Sequence, residues 1–278
     1  MSKAYKYCVR EDFRSLGQLM AEMERRPKNK CMRNEDSSRT GDKRFTGTSS
    51  YEEASKMLVD GYVEIIGQLK DDVRAKSKVD SKWAQDLAHP IPHTAIVGYC
   101  PCVPAAIQGL PNSMISVDRK PMKRKTLSIL YAMGGNCGLE AEYFTQAGAA
   151  LLSAVDIIEK SGIQTQIKLC PFPVSSYDNE ELLFPTVVIK NYGERYSLQK
   201  ISFPLAHPSM FRRIGFRYCE TVPDCQKNYS HGYGHSPDYD MVEATVAIDP
   251  NTYLISAEYI QNHNCSVTEI LKKFEVIT

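Results

Sequence analysis

A surplus of either charge is missing from this chain of 278 residues. The net charge is +1, so nothing draws the whole molecule toward nucleic acid or an anionic membrane. No stretch approaches the roughly 18 consecutive apolar residues that span a bilayer, and the opening "MSKAYKYCVREDF" has no apolar signal-peptide core. The nine cysteines are odd in number and irregularly spaced, against a secreted disulfide scaffold and for a reducing, cytoplasmic setting. There is no internal repeat, no P-loop, no dinucleotide fingerprint and no Ser/His/Asp or paired-carboxylate arrangement that spacing reveals. What remains is the balance of an ordinary globular protein, 42% hydrophobic and 24% charged.

Residues 5–24 carry Tyr5, Val9, Phe13, Leu16, Leu19, Met20 and Met23 near helical spacing. The polar stretch that follows predicts an exposed, mobile linker over 25–44. Ser50-Tyr51-Glu52-Glu53 is a capping box, opening a helix to about Leu58, and a second helix fills about 61–78. These pieces make 1–90 a helical N-terminal region. From about 94, "TAIVGYCPCVPAAIQGLPNSM" predicts a short strand leading into an irregular, buried loop, with Cys100 and Cys102 packed as small hydrophobes. "TLSILYAM" is a central strand, "GLEAEYFTQAGAALLSAVDIIEKSG" a helix stopped at Gly162, and "IQTQIKLCPF" and "LFPTVVIKNYG" are strands. "SMFRRIGFRYCETV" reads as a helix, "MVEATVAID" as a strand and "SVTEILKKFEVI" as a capped helix. This alternation predicts an α/β domain over 91–278, three-layered around a partly parallel sheet.

Four features carry candidate chemistry. Gly134-Gly135-Asn136-Cys137-Gly138 joins a strand to a helix, where amides meet phosphate and a thiol at the helix end gains reactivity. Glu140 and Glu142 would repel phosphate there, so the junction reads as a turn without chemistry. Cys219, Cys225, His231 and His235 are zinc-type ligands at C-x5-C-x5-H-x3-H. The first gap exceeds the usual two to four residues, which favours a helix end running into a Gly/Tyr-rich loop over a zinc site. Arg119, Lys120, Lys123, Arg124 and Lys125 form the densest basic patch, suited to phosphate-backbone contact or simply solvated. Tyr192, Tyr196, Tyr229, Tyr233 and Tyr239 would supply rigid area at a protein interface.

"VGYCPCVPAAIQGLPNSM" followed by the basic run, "RFTGTSSYEEASKMLVDG" and "FRRIGFRYCE…GYG" resemble a group of uncharacterised bacteriophage and prophage proteins. The strand–helix–strand from 126 to 170 is also similar to the opening of a von Willebrand A-type domain. Such domains carry Asp-x-Ser-x-Ser after the first strand to hold a divalent cation; here Ala132-Met133-Gly134-Gly135-Asn136 has neither residue, so the resemblance implies a degenerate member. Asp249 would end a later strand on the same rim. Together these resemblances imply a phage-type protein without cofactor, cytoplasmic in an infected bacterial host, that binds a host or phage protein stoichiometrically, as a homo-oligomer. Blocking a host anti-phage defence complex leads, with virion assembly or nucleic-acid binding through 119–125 as alternatives.

Overall fold

The computed structural model describes residues 4–29, 36–63, 66–67, 70–71, 92–117, 126–135, 138–195, 197–223, 233–246, 248–249 and 251–276. Its strands are β1 (Tyr7–Val9), β2 (Asp12–Phe13), β3 (Pro92–Ala95), β4 (Cys100–Pro101), β5 (Met114–Val117) and β6 (Thr126–Ala132). After these come β7 (Gln164–Cys170), β8 (Val174–Ser175), β9 (Glu181–Leu183), β10 (Thr186–Lys190) and β11 (Thr252–Ser256). The helices are α1 (Leu16–Arg25), α2 (Ser37–Thr40), α3 (Lys43–Thr46), α4 (Tyr51–Asp60), α5 (Val103–Ile107) and α6 (Ala141–Lys160). They continue with α7 (Leu198–Ala206), a π-helical turn (Met210–Gly215), α8 (Phe216–Thr221), α9 (Tyr239–Thr245), α10 (Ala257–Asn262) and α11 (Val267–Lys273).

The molecule is α/β, built on a mixed five-stranded sheet in the order β11-β6-β7-β10-β2. β11, β6 and β7 run parallel, β10 is antiparallel to β7, and β2 is parallel to β10. The expected strand–helix–strand over 126–170 forms as β6–α6–β7. Both faces of β6 are buried: Leu127, Ile129 and Tyr131 point into the larger core, Leu130 and Ala132 into the smaller. A strand buried on both sides reads as a continuous apolar run, which is how "TLSILYA" reads. The larger core lies against α6, α7, α10 and α11; the smaller lies under Tyr5, β9 and Val242 of α9.

Helix α6 crosses α7 so closely that a Cβ on Gly148 would stand 2.6 Å from the Leu205 carbonyl. Glycine is required there by the backbone approach. Gly162 adopts a left-handed φ of 88° just past the end of α6, as expected of a stop signal. The capping serines expected at 50 and 266 accept from the Glu53 and Glu269 N–H groups.

The N-terminal segment departs from the expected helix over 5–24. Residues 7–9 and 12–13 are strands, and the helix begins only at Leu16, behind a Ser15 cap. β1 and β2 run parallel to β9 and β10, and the Phe184 and Thr186 N–H groups donate to the Val9 and Glu11 carbonyls between the two pairs. This edge pairing satisfies backbone groups that no helix would satisfy at that place. Helix α4 runs to Asp60, two residues past the expected end. Most of the helix expected at about 61–78 lies outside the described residues.

Of the linker expected over 25–44, residues 30–35 lie outside the described residues, and 36–44 is folded, with Arg39, Thr40, Asp42, Lys43 and Arg44 exposed. Ser38 is buried, α2 and α3 form within and beside it, and both turns pack on the π-helical turn. Arg213, itself buried, causes this. Its guanidinium donates to the Ser38, Gly41 and Thr48 carbonyls at 2.9, 2.9 and 2.7 Å and to the Thr48 hydroxyl at 2.7 Å. Beside it, Arg212 donates to the Phe45 and Leu139 carbonyls and lies 4.2 Å from the centre of the Phe45 ring. The segment expected as a strand at 241–249 is helix α9 up to Thr245, because Asp238 caps the Asp240 and Met241 N–H groups.

Arg213→Met removes the donor to the Ser38 and Gly41 carbonyls, at about 1–3 kcal/mol each, while the Thr48 carbonyl and hydroxyl keep their bonds to Thr46 and Ser209. The expected result is a loss of at least about 2 kcal/mol in denaturant unfolding, with amide exchange rising first over 36–48. A second outcome concerns His207, whose ring packs between Tyr62 and Phe203 and whose Nδ1 accepts the Ser209 N–H. Burial pushes its pKa down to about 4. The folded state therefore holds the imidazole neutral, and stability is lost as pH falls from the unfolded value of about 6.5 toward 4, by on the order of 3 kcal/mol. A His207→Phe variant should lack that slope in stability-versus-pH measurements.

Candidate functional site

The parallel strands β6 and β7 end side by side, with the Met133 N–H donating to the Cys170 carbonyl. Just beyond those ends, Gly135 and Phe172-Pro173-Val174 open into a cleft of about 310 Å³. Ligands of open α/β sheets bind beyond the carboxyl ends of the strands. The π-helical turn supplies Phe211 and α8 supplies Phe216. Gly215 lets that helix approach: a Cβ there would stand 2.7 Å from the Pro171 carbonyl.

The rings form one packed wall. Phe172 stacks on Phe211 at 5.6 Å and meets Phe216 edge-on at 5.6 Å. Tyr233 stacks on Phe216 at 4.2 Å. Tyr177 and His235 stand at the mouth, where residue 235 is pinned to β8 by paired backbone bonds with Ser175. The His235 Nε2 lies 2.7 Å from the Asn179 side-chain oxygen.

Behind Tyr233 lies a buried carboxyl. Glu220 accepts the Tyr233 hydroxyl at 2.5 Å, the Ser38 N–H at 3.0 Å and the Ser38 hydroxyl, while the Ser37 N–H donates to the Tyr233 oxygen at 2.7 Å. Burial raises the Glu220 pKa and outweighs these bonds, which lower it. Burial likewise pushes the Tyr233 hydroxyl up, aided by its bond to Glu220. Close by, the Tyr131 and Tyr239 hydroxyls are buried without a hydrogen-bond partner among the described residues, and a Cβ on Gly134 would stand 3.1 Å from the Tyr239 oxygen. Gly135, in the stretch that reads as a turn without chemistry, is part of the cleft wall; Asn136 and Cys137 lie outside the described residues.

The sequence-derived candidates are scattered. Cys219 is buried in the main core and His235 stands at the cleft mouth, while Cys225 and His231 fall outside the described residues. Among the described residues no group of three or more His, Cys, Asp or Glu could hold a metal. Arg119, Lys120, Lys123, Arg124 and Lys125 also lie outside the described residues, as do Tyr196 and Tyr229. Tyr192 is exposed, while Tyr233 and Tyr239 are half-buried with their hydroxyls turned inward. Asp249 does not end a strand on the cleft rim. It precedes β11 at the opposite end of the sheet, 3.7 Å from Lys168.

A second feature stands apart from the cleft. Residues 92–117 form a small sheet, β3-β5-β4, with α5 between β4 and β5. The loop expected to be buried there is in fact exposed: Ile96 is 73%, Val97 79% and Ile107 80% accessible, and Tyr99, Val103 and Leu110 are also exposed. Cys100 is exposed rather than packed, because this sheet is too small to enclose its own side chains. Its sequence signal is an absence, since residues 87–117 contain no Asp, Glu, Lys or Arg.

Glu220→Gln keeps an acceptor for Tyr233 and Ser38 but cannot ionise. Because the folded pKa is raised, the wild type loses stability as pH rises from the unfolded carboxyl value of about 4.3 through the folded one. The stability difference, glutamine variant minus wild type, should therefore grow from pH 4 to pH 7 in paired urea titrations; a flat difference refutes the assignment. No helix among the described residues is long and apolar enough to cross a membrane. Neither the curated proteins nor the solved structures give a match to this chain. Residues 4–278 match the model of the domain of unknown function DUF7192, and the chain belongs to that family.

Proposed function

We propose that this protein works by binding another protein through the 92–117 arm, stoichiometrically and without catalysis of its own. The observation that carries this reading is the arm's exposed apolar surface within a stretch that holds no charged side chain. Single exposed apolar residues are ordinary, but a contiguous set marks an interaction surface. Depletion of charge is the compositional mark of an interface core. The partner surface that fits is apolar and uncharged. The resemblance to bacteriophage and prophage proteins makes that partner a host or phage protein of an infected bacterial cell, with blocking of a host defence complex ahead of virion assembly. A second copy of this chain satisfies the same surface, which is the homo-oligomer reading.

Ile96→Asp, Val97→Asp and Ile107→Asp combined place charges on side chains that already face water, so the melting temperature should move little. A protein retained in stoichiometric amount by the wild type should weaken by at least roughly tenfold for the variant. If the partner is a second copy, sedimentation velocity should show a wild-type oligomer that the variant turns into monomer. Equal retention by both forms overturns the proposal. So does a monomer that retains only RNA or DNA in a salt-sensitive way.

A further inference from the structure

The aromatic cleft is built for something smaller than a protein surface. Its volume of about 310 Å³ sits at the lower end of ligand pockets, room for one ring or a fused pair. Among the described residues, no Asp, Glu, Lys or Arg lines it. The nearest carboxyl, Glu220, is already held by Tyr233 and Ser38 and lies behind the wall. On the other side, the Arg212 guanidinium lies over Phe45 and Phe144, so the positive charge those ring faces attract is in place. A cation would meet Arg212 with no carboxylate in the lining to answer it, while an anion would find the Arg212 amino groups bonded to the Phe45 and Leu139 carbonyls and His235 at the mouth already bonded to Asn179. A neutral occupant remains.

The walls define its shape. Phe172, Phe216 and Tyr233 present both stacked and edge-on rings, the two arrangements in which aromatic groups attract beyond area burial. One polar group is unanswered: the Ser236 hydroxyl lines the cleft, is buried, and has no hydrogen-bond partner among the described residues. Buried hydroxyls are nearly always paired, so such a group in a cavity wall selects a ligand that pairs with it. We propose that this cleft binds a neutral planar ring carrying one hydrogen-bonding group, of the phenol or indole class. It stands apart from the arm, and failure of either leaves the other intact.

The test is titration of the full chain with p-cresol, indole, toluene, benzoate and tetramethylammonium, followed by saturation-transfer NMR. p-Cresol and indole should bind saturably, toluene more weakly, and benzoate and tetramethylammonium at least about tenfold more weakly than p-cresol. Ser236→Ala should weaken p-cresol about two- to tenfold and leave toluene unchanged. Tyr177→Ala, at the exposed mouth, should weaken both without disturbing the fold. N-acetyltyrosinamide separates the two sources of such a ring: binding as tight as p-cresol identifies a partner's side chain, and exclusion identifies a free small molecule. The proposal is overturned if neither p-cresol nor indole binds saturably, if benzoate or tetramethylammonium matches p-cresol, or if Ser236→Ala weakens toluene equally.

Discussion

Arg213 is the constraint on which the rest of the architecture turns. A guanidinium has five donors in a fixed fork and does not shed its charge, so burying it demands acceptors on several sides. The chain meets that demand by wrapping residues 38–48 around the fork, offering carbonyls from Ser38, Gly41 and Thr48. Two short helices, α2 and α3, result. Their sequences would not hold a helix alone, since isolated helices below about 12–15 residues are marginal in water. Cavity-filling packing is secondary here; the segment is ordered because its carbonyls are the arginine's solvation shell.

The same turn shapes the cleft. Its π-helical course carries Phe211 on one side and the two arginines on the other. Helices commonly widen in this way at functional sites. One turn later Glu220 is buried, 3.7 Å from Arg217. Arginine and glutamate thus receive opposite treatment within a dozen residues. Arg213 stays charged in a cradle of carbonyls, whereas the Glu220 pKa is raised despite three donors. Burial of Ser38, which donates to Glu220 while its carbonyl accepts from Arg213, links the two groups into one polar seam between the N-terminal segment and α8.

How legible was this beforehand? The β6–α6–β7 unit was, because a double-sided buried strand and a long Ala/Leu helix leave strong local patterns, and the capping serines at 50 and 266 were too. Residues 5–13 mimic a helix because apolar side chains shared between two sheets coincide with helical spacing over a short window. "MVEATVAID" has strand-like composition, yet Asp238, one step outside the pattern, decides for helix. Arg212-Arg213 inside "SMFRRIGF" looks like an ordinary charged face; their burial depends on carbonyls more than 160 residues away. The cleft draws on residues from Ser37 to Ser236 and leaves no local spacing to find.

The arm is a different case. Its β-branched residues, prolines and glycines predict a strand and a buried loop, as they would form if the rest of the chain could fold over them. Burial needs enclosing mass, and among the described residues the small sheet β3-β5-β4 has two edges and only the short α5 within it. Ile96, Val97, Ile107 and their neighbours therefore stay in water. Fully covering a side chain of this kind stabilises by roughly 1.5–3 kcal/mol, before the costs of association are subtracted. Covering even the three most exposed would favour association by several kcal/mol in gross terms, comparable to the total stability margin of many domains. In the proposed reading, the partner surface would supply the covering layer that the described residues do not place over Ile96, Val97 and Ile107.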